Sequence, residues 1–249
     1  MKKRNLLFIL FLSGIGIGLS GCNFTNKGNS QTFYNTLAVV DSDPDGRTIV
    51  CTSYGYLAAP SLTDVSPGNC IFIRQFTLDY DNQPTSGYYT ISDIVKETVN
   101  QSSPAVDNPT ELGNYTLPFS SIDNVYTDEF YKGRIFIVAT CKDKNPALRL
   151  VYNPSEEETD GIKNFYLQAA PSSSTPNASD VQTLYAFNLY DMIRVANQDT
   201  LRTFKDYTDQ YDFWYIKAKL NYVSDTTNNE PVYGTISGNP LELYIFKNQ

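Results

Sequence analysis

The sequence predicts an all-β protein of two domains behind a short N-terminal address. Three observations carry this. Tyr (19) and Phe (14) far outnumber Met (2), and Gly with Pro total 27 of 249 residues, a profile of strands and turns. Clusters of Pro, Gly, Asn and Asp cut the apolar runs into strand-length pieces. A 41% hydrophobic content is enough for real cores, and at roughly 150 residues per domain the length allows one large or two modest domains.

Met1 to Asn5 is basic, and Leu6 to Ile17 is apolar but broken by Ser13, Gly14 and Gly16. That run falls short of the roughly 20 residues a membrane-spanning helix needs, and suits a secretory signal. It ends in Leu19-Ser20-Gly21-Cys22: an aliphatic residue, two small residues and a cysteine. This resembles the lipobox of bacterial lipoproteins. The resemblance implies a signal peptide over 1–21, a diacylglyceryl thioether on Cys22, cleavage before Cys22 and N-acylation of the new amine. Two or three acyl chains anchor stably where one is marginal. Gly16, Gly18 and Gly21 match a dinucleotide fingerprint in spacing only, since no strand precedes them and no helix follows.

Residues 22–31 read as a lipidated polar tether. Residues 32–99 read as four or five strands. Thr32 to Val40 turns at Asp43-Pro44-Asp45-Gly46 into Arg47 to Tyr54, and Gly55 to Ala59 extends it. Pro67-Gly68-Asn69 leads into Cys70 to Tyr80, and Asn82-Gln83-Pro84 into Tyr88 to Val99. So many strands in so short a stretch suit a small OB-like barrel. Residues 100–113 carry Pro104 and Pro109, lack periodicity and read as a linker. Residues 114–249 hold six or seven further strands and predict a β-sandwich. Arg134 to Cys141 is apolar on both faces, as a central strand should be. Tyr211 to Val223 alternates: Trp214, Ile216, Ala218 and Leu220 share the face expected to be buried.

Composition also excludes. The chain has no histidine, which removes Ser-His-Asp and Cys-His catalysis and His-ligated metals. The net charge is −8; without Lys2, Lys3 and Arg4 the mature chain has 16 basic and 27 acidic residues, or −11. Nucleic acid is not an expected partner, and the lipid alone should hold the membrane. Asp41, Asp43, Asp45 and Gly46 match the first half of a calcium loop, but its twelfth position is Thr52 rather than Glu. A hairpin turn with solvated carboxylates explains them as well, so no metal or other cofactor is expected. Cys51 and Cys70 could close a 20-residue disulfide ring; buried thiols are the other reading of both, and Cys141 reads as a core thiol. Glu156, Glu157, Glu158 and Asp160 read as a solvated run. Tyr211, Phe213 and Tyr215 would form an outward aromatic row beside Lys217 and Lys219, a candidate ligand-binding surface.

Several strings resemble the NigD-like lipoproteins of Bacteroidetes: Ile122 to Tyr126, Phe130 to Phe136, Lys163 to Leu167, Tyr185 to Leu189 and Ile216 to Leu220. The resemblance implies an N-terminal OB domain, a C-terminal β-sandwich and, for some members, a bacteriocin-immunity role. It supplies no catalytic residues. Lys132-Gly133 stands where a Leu-Asn pair is expected, and no histidine precedes Phe165. The expected function is a lipid-anchored, non-catalytic envelope protein, outer-membrane bound, whose partner is a protein or glycan. The alternatives are an immunity-type lipoprotein, a fimbrial-type structural subunit and a carboxylate-dependent hydrolase.

Overall fold

A computed structural model describes residues 29–85, 87–156, 161–172, 179–190, 213–227 and 230–246. The chain divides into two compact units, Met1–Glu97 and Thr98–Gln249. Among the described residues, no helix is long and apolar enough to cross a membrane.

The first unit is a closed five-stranded barrel. Its strands are β1 (Ser30–Ser42), β2 (Thr48–Thr52), β3 (Gly55–Ala58), β4 (Cys70–Asp79) and β5 (Tyr89–Thr98), in the order β1-β2-β3-β5-β4. β3 and β5 pair in parallel, with Leu57 beside Tyr89. The core is filled by Ala38, Val40, Val50, Leu57, Ile71, Ile73, Phe76, Leu78 and Ile91.

β1 closes the barrel because it is long enough to serve two neighbours. It pairs with β4 from Ser30 to Val39 and with β2 from Ala38 to Ser42. Phe33 packs on the same core as Ala38, five residues on, and Phe76 on the same core as Ile71. Strict alternation forbids an odd spacing on one face, so the inward face slips by one position on both strands at the level of Asn35, while their pairing register runs on unbroken. Asn35 has φ +55°, a left-handed conformation that Asn tolerates better than most residues. The slip brings Phe33 flat onto Phe76, with ring centroids 4.8 Å apart and 6° between planes.

The second unit is a sandwich of two sheets. The larger comprises β7 (Ala105–Val106), β10 (Ala147–Tyr152), β11 (Lys163–Ala170), β13 (Phe213–Thr227) and β14 (Glu230–Thr235) in the order β14-β13-β11-β10-β7, with β15 (Leu241–Phe246) also on β13. The smaller runs β6 (Asn100–Ser102), β12 (Val181–Asn188), β9 (Arg134–Cys141) and β8 (Phe119–Thr127). Leu148, Leu150, Phe165, Leu167, Ile216 and Leu220 of one sheet share a core with Phe119, Ile135, Ile137, Cys141 and Phe187 of the other.

The stretch 100–113 is not an open linker. Asn100–Ser102 pairs in parallel with β12, and Ala105–Val106 pairs in parallel with β10. Strands of two or three residues are too short to show a period. Pro104, read as linker punctuation, stands where the chain leaves one sheet for the other. β8 escaped the periodicity for another reason: its register shifts twice, between Phe119 and Ser121 and between Ile122 and Asn124. At Lys132 and Gly133 the backbone is left-handed twice running (φ +50° and +74°), after a single 3₁₀ turn over Glu129–Tyr131. Gly at the second position carries that conformation without strain.

Candidate functional site

Of the residues expected to carry function, Cys22 and Tyr211 lie outside the described residues. Phe213 and Tyr215 stand in β13 opposite Phe246 and Tyr244, but their side chains lie outside the description as well. Further along β13 the expected alternation holds: Ile216, Ala218 and Leu220 are buried while Lys217 and Lys219 are exposed. Asn221 departs from it. It is buried, and its Oδ1 accepts from the Thr235 hydroxyl at 2.7 Å.

Cys51 and Cys70 do not form the disulfide that their spacing allowed; both are buried thiols. The register explains why. Val39 of β1 is the pairing partner of Cys51 on β2 and of Cys70 on β4, so the two cysteines sit on opposite sides of one strand. Two strand spacings of roughly 4.8 Å exceed the usual disulfide Cα separation of about 4.4–6.8 Å. Cys141 is a buried core thiol that burial pushes above its ordinary pKa.

Of the aspartates proposed as a weak cation loop, Asp41 stands in β1 opposite Ile49, and Asp43 and Asp45 are committed to their own turn. Asp43 Oδ1 accepts from the N–H groups of Asp45 (3.0 Å) and Arg47 (2.9 Å), and Oδ2 meets Arg47 Nε and Nη2 at 2.7 Å each. Burial would push this carboxyl up, but the Arg47 main-chain N–H and guanidinium outweigh it and hold the carboxyl below its ordinary value. The same Arg47 Nη2 also donates to Asp45 Oδ2 at 3.1 Å. Among the described residues no group of three or more acidic or cysteine side chains is arranged to hold a metal.

This turn joins β1 to β2 and lies at one side of the outer face of β2 and β3. Leu57 points into the core, so its neighbour Tyr56 points out. The parallel register that sets Leu57 beside Tyr89 sets Tyr56 beside Tyr88, at the end of the β4–β5 loop. The two rings meet edge to face at 6.2 Å. Arg47 is exposed, and Asp43 first and then Asp45 raise the pKa of its guanidinium. The β4–β5 loop is itself fastened: the Gln83 amide donates to the Asp79 and Thr90 carbonyls and its Oε1 accepts from the Thr90 N–H at 2.6 Å. Sequence reasoning singled out the turn but met Tyr88 only as the start of a strand. The register that joins Tyr88 to Tyr56 is set by a parallel pairing over a distance in sequence that no local pattern reveals.

A second polar constellation lies on the outer face of the larger sandwich sheet. Gln168 of β11 is fully buried; its Oε1 accepts from Arg149 Nε at 2.6 Å. Its amide donates to the Pro109 carbonyl (2.7 Å) and the Tyr233 hydroxyl (2.6 Å). Tyr233 donates to the same carbonyl, and Arg149 donates to the Glu111 carbonyl while covering the Tyr115 ring at 4.2 Å. Next to it, Glu156 accepts from Tyr166 (2.6 Å) and Asn164 (2.8 Å), so the first residue of the acidic run is half-buried and engaged rather than solvated. Burial and then Glu156 push the Tyr166 phenol well above its ordinary pKa. Each polar group here has its partners, and the constellation clasps the segment 107–115 onto the sheet.

The barrel order β1-β2-β3-β5-β4, closed by β1 on β4, defines the first unit as an OB domain. A family model described as a lipoprotein OB domain matches residues 28–97. Structures alike to the whole chain come from Bacteroidetes. An uncharacterized protein from Parabacteroides merdae is 15% identical at a TM-score of 0.57, over 82% of this chain and 96% of that one. A protein of unknown function, DUF1344, from Bacteroides vulgatus is 13% identical at 0.54, over 84% and 91%. A NigD-like immunity protein from Bacteroides caccae is 13% identical at 0.44, over 84% and 93%. No curated protein matches the chain. The OB domain expected of residues 32–99 is thus matched by a lipoprotein family model, and the first two of these structures share the fold of the chain. The lipoprotein family points to the cell envelope.

Proposed function

We propose that this chain is a lipid-anchored envelope protein that binds a protein or glycan and performs no chemistry itself. The observation that carries the reading is a juxtaposition in sequence. The lipobox cysteine, Cys22, stands six residues before a stretch matched as a lipoprotein OB domain. Acylation of Cys22 would attach the barrel to the outer membrane through a short polar tether.

Four carboxylates among the described residues support a non-catalytic role. A carboxylate hydrolase needs two acids converging on one bond, one of them kept protonated. Asp43, Asp123 and Asp143 are all held below their ordinary values by the donors around them. Asp128 is pushed up, by burial first and by Glu129 to a lesser degree, yet its oxygen caps the 3₁₀ turn by accepting from the Phe130 N–H at 2.9 Å. It is a cap and not half of an acid pair.

The test is affinity capture with the lipidated full chain from envelope extracts, read by mass spectrometry and glycan analysis. The reading expects a partner enriched above an unrelated lipidated control. Equal recovery on both would overturn it.

A further inference from the structure

We infer that the tyrosine-rich end of the barrel, where Asn29 leads into β1, seats on the zwitterionic headgroup layer of the membrane that holds Cys22. This rests on the acylation proposed above and adds a second membrane contact, made by the folded unit itself.

The chain enters the barrel beside the last residues of β4. The Asn29 N–H donates to Asp81 Oδ2 at 3.1 Å, the Asn29 carbonyl accepts from the Tyr80 N–H at 2.8 Å, and Ser30 pairs with Asp79. The β2–β3 turn and the start of β5 meet at this end. Phe33 and Tyr54 pack edge to face at 5.1 Å, the Tyr80 hydroxyl donates to Gln31 Oε1 at 3.1 Å, and Tyr89 stands beside Leu57 of β3. All six tyrosines of residues 29–97 (Tyr34, Tyr54, Tyr56, Tyr80, Tyr88 and Tyr89) stand on these segments. Tyr34 is 60% exposed, and the other five are half-buried. The opposite end is built from the β1–β2 turn, the β3–β4 connection and the end of β5. It carries Asp43, Asp45, Arg47, Asp64 and Lys96, and no tyrosine.

Side-chain chemistry, charge and chain length all fit this end to a neutral bilayer surface. Tyrosine has an apolar ring and a polar tip, and it is enriched where hydrocarbon meets water. Residues 29–36, 53–56 and 77–90 hold no lysine or arginine, so nothing here attracts anionic lipid. Their two acids are engaged locally. Asp79 accepts from the Asp81 N–H at 3.0 Å and the Asn82 amide at 2.6 Å, and Asp81 accepts from Asn29. Seven peptide units separate Cys22 from Asn29, at most about 25 Å of extended chain. An acylated Cys22 therefore holds this end within reach of the headgroups. Held so close, the contact is intramolecular, and a weak surface is enough to populate it.

The test uses the full acylated chain in phosphatidylcholine vesicles, with the acyl mass on Cys22 checked on the same sample. A fluorophore is placed on Thr85→Cys, at an exposed position of the β4–β5 loop, or on Ser66→Cys, at an exposed position of the opposite end. Cys51, Cys70 and Cys141 are buried and stay unlabelled in the folded chain. Quenching by a nitroxide borne on the lipid headgroup should be strong at position 85 and weak at position 66. The tether alone would also bring position 85 closer, so the deciding arm is Tyr34→Ser, which removes the exposed ring. It should lower the ratio of seated to free barrel about fivefold, the worth of roughly half a buried aromatic side chain. Tyr34→Trp, which keeps an interfacial ring, should restore the parent signal. Replacing half the lipid with phosphatidylglycerol should weaken the quenching at position 85. Equal quenching at the two positions, Tyr34→Ser behaving as the parent, or stronger quenching with phosphatidylglycerol would each overturn the inference and leave the acyl anchor standing. Absence of the acyl mass would remove the anchor and the inference together. Shielding of position 85 that appears only after envelope proteins are added would assign this end to a protein partner and overturn the membrane seat.

Discussion

Asp143 is a carboxylate 2% exposed to solvent, and its oxygens are satisfied locally. They accept from the Ser172 hydroxyl (2.6 Å), the Ser172 N–H (2.7 Å) and the Asn145 N–H (2.8 Å). These bonds, Ser172 first, hold its pKa below the unfolded value of about 3.9. A depressed folded pKa stabilises the protein above the unfolded value, and that contribution is lost as pH falls through the folded value. Asp43, Asp64, Asp79 and Asp123 are shifted in the same direction. Stability measured by urea midpoint should therefore hold to about pH 4 and fall steeply below it. Asp143→Asn should have a shallower acid limb than the parent; equal slopes would contradict this account. In the Gln168 clasp, Gln168→Ala strands Arg149 Nε and removes a bond to the Pro109 carbonyl, and should cost about 1–3 kcal/mol in chemical denaturation. At this scale the sequence was partly legible. The Asp-Pro-Asp-Gly string announces a turn by its own chemistry, but Gln168 reads as an ordinary polar strand residue until its cross-strand partner Arg149 is known.

Elements obeyed their periods where one face meets a core, and broke them where the backbone does something local. β1 is the clearest case. Asn35→Gly should be nearly neutral, whereas Asn35→Val, forced into the same left-handed backbone, should cost roughly 1–2 kcal/mol. An unchanged unfolding midpoint for the valine variant would show that β1 does not depend on this slip. β14 is an edge strand, and it carries Pro231 and Gly234. A Cβ on Gly234 would come within 2.8 Å of the Tyr222 ring, its cross-strand neighbour, so the ring lies over the bare glycine. Gly234→Ala should therefore destabilise by about 1 kcal/mol as the ring is displaced. Of the two readings left open for Cys51 and Cys70, the structure has the buried thiols. Sequence spacing set the ring size, but only strand order shows that β1 lies between Cys51 and Cys70.

For the whole molecule, the barrel followed by a sandwich was legible because turn chemistry and alternation repeat along most of the chain from Ser30 onward. Two parallel edge strands and a doubly bulged one were not, since each lacks a period of its own. The aromatic row at 211–215 was chosen for its composition. The tyrosine pair at 56 and 88 needed the parallel register that links residues thirty-two apart in sequence. The proposed function hangs on acylation of Cys22. Under denaturing conditions without reductant, the lipidated chain should present three reactive thiols, Cys51, Cys70 and Cys141, and a bare chain four. The most direct measurement is metabolic labelling with radioactive palmitate, comparing the natural chain with Cys22→Ser. The account predicts label on the natural chain, an added acyl mass at a new N-terminus beginning with Cys22, and neither in the variant. An unlabelled natural chain, or label that survives in Cys22→Ser, would contradict it.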